Sequence, residues 1–340
     1  MTASAIDVVV VPDFAGAGRR LFEARTLLFL GSWLEHAGGS RAWPLHVVSI
    51  GAPPPSVAAL TERCGAALAV HDALDEERRY LNKLRGLEIE SRTGRILLLD
   101  ADTLVLSDLS PALALGECFA ALPAATNRIP MEVWKEVFAA AGAELPAERM
   151  LPLIGSLADD LPASVMRDAF REEAPVHWNS GVVLAPAGCE LRRHWARAAR
   201  ILEERFAGHP FHDHVCRNDQ PSLAVAAARI RAQGVRYTPL PYPLHGFDLL
   251  FAAGRLRYGD TAVYHAKTLF RRARDGTLDP LRELELYRAH QVPRLYPETR
   301  AQALVRRLGG RAHPRRAASI LRLCQRLDEL TRRYVVPALS

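Results

Sequence analysis

Along this 340-residue chain, apolar positions fall into short runs that alternate with longer stretches of helical spacing. Residues 6–11, Ile-Asp-Val-Val-Val-Val, are β-branched and stop at Pro12, which predicts a buried strand. Residues 20–37 carry Leu21, Leu28 and Leu34 at helical spacing and end at Gly38-Gly39. Residues 45–50 predict a second strand, 57–64 a short helix, 67–70 a third strand, and 80–91 a helix stopped by Gly94. Residues 96–99 are wholly apolar and run straight into Asp100. Apolar strands alternating with helices predict an α/β fold with a mostly parallel sheet covered on both faces. Ligands in such sheets bind beyond the carboxyl ends of the strands. Asp13, His71 and Asp100 each follow a strand, so all three should lie along one edge.

The middle of the chain is less regular. Residues 124–177 hold a helix at 131–141 and then acidic and proline-containing segments, which read as an insertion or subdomain. A strand is predicted at 182–185, after Asn179-Ser180-Gly181. Helices follow at 191–206 and 221–233, then a short strand at 263–265. Beyond Asp279 the chain is mostly helical and basic.

Composition narrows the class. Hydrophobic residues make up 49% and charged residues 24% of the chain, ordinary values for a globular protein. No apolar run reaches the ~18 residues of a membrane span, and residues 1–7 lack a secretory pattern, so a cytoplasmic location is expected. Five scattered cysteines predict neither a disulfide framework nor a zinc finger. The net charge is +6, but its placement matters more. From Arg300 to Ser340 ten arginines face two acidic residues, so the rest of the chain is close to neutral and a nucleic-acid partner is not implied. Ile320, Leu323, Leu327, Leu330 and Tyr334 give the basic tail an apolar stripe. A stripe of this kind either docks on the body of the protein or lies on anionic lipid at the membrane inner face. Only Lys83, Lys135 and Lys267 are lysine, and two of them fall in the motifs below.

The strongest chemical signal is Leu-Leu-Leu-Asp100-Ala-Asp102, followed by Thr-Leu-Val-Leu. A buried strand rarely ends in two carboxylates that repel each other without a counter-ion. Hard divalent cations are held by one or two carboxylates plus substrate phosphates. Downstream stand Trp178-Asn179-Ser180-Gly181, Asn218-Asp219-Gln220-Pro221 and Tyr264-His265-Ala266-Lys267, with Tyr80 and Lys83 upstream. Taken singly, each has a plainer reading: Asn218 as a helix cap, Asn179 as a turn, His265 as a satisfied strand-end histidine and Lys83 as a solvated lysine. His212, His214 and Cys216 are ligand-type residues at alternate positions, but with no second cluster at zinc spacing they do not by themselves specify a zinc site.

In their order, these motifs resemble the GT-A-fold glycosyltransferases, most closely the glycogenin-like and galactosyltransferase-like enzymes of family 8. The resemblance covers roughly residues 6–270. It implies a catalytic domain over 1–275, with the insertion inside it, and a basic helical extension over 276–340. It also implies a nucleotide-sugar donor, UDP-sugars favoured, with Mn²⁺ or Mg²⁺, and transfer to an acceptor hydroxyl with retention. The acceptor would be a glycan, a lipid-linked sugar or a small molecule. By resemblance, Asp100, Asp102 and His265 hold the metal, Lys267 the diphosphate, Lys83 lies near the donor, and Asp13 and Phe14 contact the base. Asn179, Asp219 and Gln220 would face the transferred sugar, Asp219 or Gln220 stabilising an oxocarbenium-like centre. The family usually places a longer, glycine-containing spacer between the histidine and the lysine; here they are two apart.

Two other readings remain open. The loop Gly16-Ala-Gly18-Arg19-Arg20 opens a helix after the first strand, as phosphate-binding loops do, and looks like that of sugar nucleotidyltransferases. A non-catalytic carbohydrate-binding relative would explain the altered His265–Lys267 segment. Trp134, Tyr242, His245 and Asp248 are candidate acceptor contacts.

Overall fold

Seven strands hydrogen-bond into one sheet in a computed structural model that describes residues 5–161, 173–267, 269, 278–295 and 314–340. Part of the expected insertion, residues 162–172, lies outside the described residues, as do Thr268 and Phe270 after Lys267. In chain order the elements are β1 (Asp7–Val10), α1 (Arg19–His36), β2 (Leu45–Ile50), α2 (Pro55–Arg63), β3 (Ala67–His71), β4 (Arg95–Leu99), β5 (Thr103–Val105) and β6 (Phe119–Pro123). Then come α3 (Met131–Ala140), β7 (Arg149–Met150), α4 (Leu153–Ser156), β8 (Ala174–Pro175), β9 (Trp178–Pro186), α5 (Leu191–Phe206), α6 (His212–Val215) and α7 (Asp219–Ala232). The described chain closes with β10 (Tyr237–Pro239), α8 (Asp248–Ala252), β11 (Val263–His265), α9 (Pro280–Leu295), α10 (Pro314–Leu330), a π-helical stretch (Thr331–Val335) that carries Tyr334, and α11 (Val336–Leu339).

The strand order is β10-β6-β9-β4-β1-β2-β3. All pairings are parallel except those of β9, which runs antiparallel to β4 and β6. Period-two alternation sends successive residues to opposite faces. Val8, Val10, Leu97 and Leu99 pack with α1 on one face. Val9, Val48, Ile96 and Leu98 pack with Trp195 of α5 and Leu223 of α7 on the other. The mostly parallel sheet, with helices on both faces, is the expected one.

Three expectations need correction. Helical cover does not extend to β3, the outer strand, where Leu68 and Val70 are 39% and 56% exposed. Residues Arg79–Glu88 form a 3-10 helix, shorter than the span read from the sequence. Asn179-Ser180-Gly181 is not a turn before a strand but part of β9, at a register shift between Ala121 and Leu122 of the neighbouring β6. That irregularity turns the segment toward the strand ends.

The tail docks. Ile320, Leu323, Leu327 and Leu330 are fully buried and share one core with β1 and α1. Gly31 of α1 makes the fit possible, because a Cβ there would lie 2.4 Å from the Tyr334 ring. The apolar stripe is therefore occupied by the protein itself and is not presented to lipid. Among the described residues no helix is long and apolar enough to cross a membrane.

Asp7 shows how the sheet is tied at its other end. Its buried carboxylate accepts from Ser91 Oγ (2.8 Å), the Arg92 and Thr93 amides (3.0 Å each), Thr93 Oγ1 (2.7 Å) and His46 Nε2 (2.9 Å). Burial pushes the carboxyl pKa up, but the bonds from Thr93, His46 and Ser91 outweigh it and hold it below the ordinary value. A depressed carboxyl contributes stability above about pH 4 and loses it as pH falls through the folded value. Asp7→Asn is therefore expected to cost about 2–3 kcal/mol at neutral pH. In denaturant titrations down to acid pH, the difference from the parent should close as pH falls.

Candidate active site

The carboxyl ends of β1 and β4, the bulged start of β9, the first turn of α7 and the end of β11 meet around a cleft of about 350 Å³. Its walls carry Asp13, Lys83, Asp100, Asp102, Asn179, Asp219, Gln220, His265 and Lys267. Sequence positions more than 250 residues apart are thus brought together, as sheet topology requires.

β4 delivers Asp100 and Asp102 at its end. The Asp100 amide donates to Gly181 O at 2.9 Å, and the Asp102 carbonyl accepts from Ala266 N at 2.8 Å. β11, paired antiparallel with β5, brings in His265. Tyr264 and Tyr287 hydroxyls bond the Asp248 carboxylate, the latter at 2.9 Å, and anchor β11 from behind. His265 Nε2 lies 3.2 Å from Asp102 Oδ1 and 3.9 Å from Asp100 Oδ2. Each carboxylate spends its other oxygen on a cation: Asp100 Oδ1 on Lys83 Nζ at 2.6 Å, Asp102 Oδ2 on Arg25 Nη1 at 3.5 Å. Asp100, Asp102 and His265 each offer one ligand atom within 4.8 Å of those of the other two. Two hard oxygens and one imidazole nitrogen suit Mn²⁺ or Mg²⁺, so the residues present fit such an ion.

Lys83 stands half-buried at the centre of this arrangement. Besides Asp100, its ammonium bonds Asp219 Oδ2 at 2.9 Å and Ser180 Oγ at 3.2 Å. Burial alone would lower its pKa, but Asp100 and Asp219 raise it above the ordinary lysine range. Burial also opposes ionisation of Asp219, yet Lys83 and the Ser180 hydroxyl hold that carboxyl below its usual value. Asp102 falls well below its usual value because His265 and Arg25 outweigh burial. Asp100 moves the opposite way: burial, with the Asp102 charge beside it, outweighs Lys83 and raises it.

His245 stands behind His265, fully buried, with Nε2 3.2 Å from His265 Nδ1. One of these nitrogens donates, so the contact fixes the ring that aims Nε2 at the carboxylates. Burial, with His265 and Lys267 adding, pushes the His245 pKa well below its ordinary value. Gly181 is required on the open side, because a Cβ there would lie 2.2 Å from His265 Cε1. Gly181→Ala is expected to displace the ring and weaken Mn²⁺ binding on the order of 10–100-fold, measured by titration of the ion alone with paramagnetic resonance. Unchanged affinity would mean that His265 is not a ligand.

The remaining expected residues separate. Asp13 is buried in the cleft wall, where its carboxylate takes the Arg79 guanidinium and Asn82 Nδ2 at 2.8 Å. Phe14 does not join it: the bridge between Asp13 and Ile50 continues the strand pairing and turns Phe14 into the core. Phe22, from the first turns of α1, and Tyr80 are the rings that line the cleft among the described residues. Asn179 Oδ1 accepts the Gly181 amide at 3.0 Å. Asn218 caps α7, its Oδ1 accepting from Gln220 N at 3.1 Å, which leaves Asp219 and Gln220 facing the cleft. Lys267 is exposed on the wall. His71 ends β3 but does not line the cleft. Of the acceptor candidates, His245 and Asp248 are used internally.

The Gly16–Gly18 loop lies outside this wall, and Arg20 Nη2 donates to Leu339 O at 3.1 Å, away from it. Arg25, Arg79, Asn82 and His245 carry no motif of their own. Arg79 and Asn82 were detectable only as neighbours of Tyr80 and Lys83 on one short helix.

Residues 42–231 match the family model of the Rhodobacterales glycosyltransferase domain. More than half the chain is covered, so the protein belongs to that family and is a glycosyltransferase. Among solved structures it is similar to mouse xyloside xylosyltransferase 1 in its apo form, at 13% identity, covering 77% of this chain and 98% of that one, with a TM-score of 0.45. It is similar to the galactosyltransferase LgtC in complex with donor and acceptor sugar analogues, at 18% identity, 84% and 96% coverage and a TM-score of 0.46. The glycosyltransferase GlyE of Streptococcus pneumoniae TIGR4 is a third, at 13% identity, 84% and 65% coverage and a TM-score of 0.43. No curated protein matches the chain.

Proposed function

We propose that this glycosyltransferase is a metal-dependent, GT-A-type enzyme of the family 8 kind. It would move a sugar from a nucleotide-sugar donor, UDP-sugars favoured, to an acceptor hydroxyl with retention. The observation that carries this reading is the convergence of Asp100, Asp102 and His265, each offering one ligand atom within 4.8 Å of the others, while Lys83, Arg25 and His245 engage further polar atoms of the three. Mn²⁺ or Mg²⁺ held there would supply positive charge to a departing diphosphate.

The chain's own residues do the rest. Lys83, bonded to Asp100, Asp219 and Ser180, fixes two carboxylates in place. Lys267, exposed on the same wall, is the cation open to phosphate oxygens. Phe22 and Asp13 bound the end of the cleft where a base would stack and bond. Asp219, held ionised, would stabilise positive charge at the sugar together with Gln220, while Asn179 bounds the same space. A second cavity of about 220 Å³ shares Asn218, Gln220 and Lys267 with the first and reaches Trp134 and His177. An acceptor glycan, lipid-linked sugar or small molecule would enter there, beside the inserted segment. Residues 1–275 would form the catalytic domain, with 276–340 bracing it.

Thermal stabilisation by nucleoside di- and triphosphates, each with and without Mn²⁺, tests the reading. A ligand at a hundred times its Kd adds about 2.7 kcal/mol. The expected result is stabilisation by one diphosphate that needs the ion. A triphosphate preference would point to nucleotidyl transfer instead, and no response to any nucleotide to a non-catalytic relative.

A further inference from the structure

A second group of ligand-type side chains lies outside the cleft. Glu203 is in the last turn of α5, and His212 and Cys216 stand four residues apart on and just after α6. The sequence offers His212, His214 and Cys216 at alternate positions, but the helical turn selects differently. Four-residue spacing puts His212 and Cys216 on one face, and His214 is not part of the group. The partner absent from the local motif is Glu203, from the preceding helix. Its Oε1 lies 3.0 Å from His212 Nε2, and the ligand atoms of all three residues lie within 4.8 Å of one another.

The donor set differs in kind from that of the cleft. A thiol, an imidazole and a carboxylate suit a borderline-soft ion of the Zn²⁺ class rather than Mg²⁺ or Mn²⁺. Ligand atoms around a tetrahedral zinc sit roughly 3.3–3.8 Å apart, so closing on an ion needs only small rotations of the partly exposed Glu203 and His212. Cys216 is 3% exposed, and its sulfur donates to the Leu202 carbonyl at 3.3 Å. Burial, with the Glu203 charge adding to it, pushes the thiol up to about 12. A divalent cation is the charge that would deprotonate it.

We propose that Glu203, His212 and Cys216 form a binding site for Zn²⁺ or a similar ion, with solvent at the fourth position, that clamps α5 to α6 next to the cleft. The clamp has a route to the cleft. The Tyr80 hydroxyl donates to the Cys216 carbonyl, on the same short helix as Lys83. Two residues beyond Cys216, Asn218 starts the helix that carries Asp219 and Gln220.

The test uses the full chain, stripped of metal under reducing conditions and titrated with Co²⁺ alone. One equivalent should give a sulfur-to-cobalt charge-transfer band that Zn²⁺ displaces, and Zn²⁺ should raise the unfolding temperature. The band should vanish in Cys216→Ser and bind Co²⁺ at least tenfold more weakly in His212→Ala, whose partly exposed side chain can be removed without disturbing the core. Asp102→Asn should keep it, because the cleft site contains no sulfur. Absence of the band from the parent, or its persistence at unchanged affinity in His212→Ala or Cys216→Ser, would overturn the proposal.

Discussion

Replacing Asp102 with asparagine is expected to lower kcat/KM on the order of 10²–10³-fold and to abolish Mn²⁺-dependent stabilisation by the nucleotide. Size and shape are kept, and an amide oxygen can still face His265, so folding should survive. What disappears is the charge. Asp102 is the carboxylate held ionised by His265 and Arg25 against the effect of burial, whereas Asp100 is raised by burial and by Asp102 itself. Asp102 is thus the stronger anionic donor of the pair. Without it a divalent ion would meet one carboxylate already bonded to Lys83, an imidazole, and an uncompensated Arg25 nearby. Repulsion by Arg25 adds to the lost attraction, so raising the Mn²⁺ concentration should recover only part of the rate. Sugar release from the donor at saturating ion is the measurement. Turnover and ion dependence like the parent's would remove the metal assignment from this site.

The positions recoverable from sequence are those where local pattern and tertiary role coincide. β2 and α5 are found where the spacing places them, because one face of each is committed to the core. Asp100 and Asp102 stood out because ionisable residues end an apolar strand. Elsewhere a long-range partner decides. Asn179-Ser180-Gly181 has the composition of a turn, yet pairing of Asn179 with Leu122 of β6 and the bond from the Asp100 amide to the Gly181 carbonyl make it strand. Phe14 sits next to Asp13 but follows the strand pairing into the core. The apolar stripe of α10 has the same pattern whether it meets lipid or protein, and the gap at Gly31 for Tyr334 is visible only once both helices are placed. Arg25 had no local signal and His245 stood out only as an acceptor candidate, since their roles consist of contacts with Asp102 and His265.

Lys83 joins the two halves of the site, and Lys83→Met should separate its structural from its catalytic contribution. The replacement keeps length and apolar bulk and removes the ammonium shared by Asp100, Asp219 and Ser180. Leaving these half-buried carboxylates without their partner is expected to cost about 3 kcal/mol at neutral pH, the lower end for a buried pair. Acid titration gives the sign. In the parent, Asp219 is depressed, so it contributes stability above about pH 4 and loses it as pH falls. In the variant burial prevails and the carboxyl rises, so its cost is present at neutral pH and relieved on acidification. The stability gap between the two proteins should therefore narrow as pH falls toward 4. A gap independent of pH would mean that lost packing, not charge, explains the effect. Activity should fall together with Mn²⁺-dependent nucleotide binding, because Asp100 would no longer be held in place. A variant that binds nucleotide and ion like the parent but turns over slowly would move Lys83 from positioning the carboxylates to contacting the donor itself.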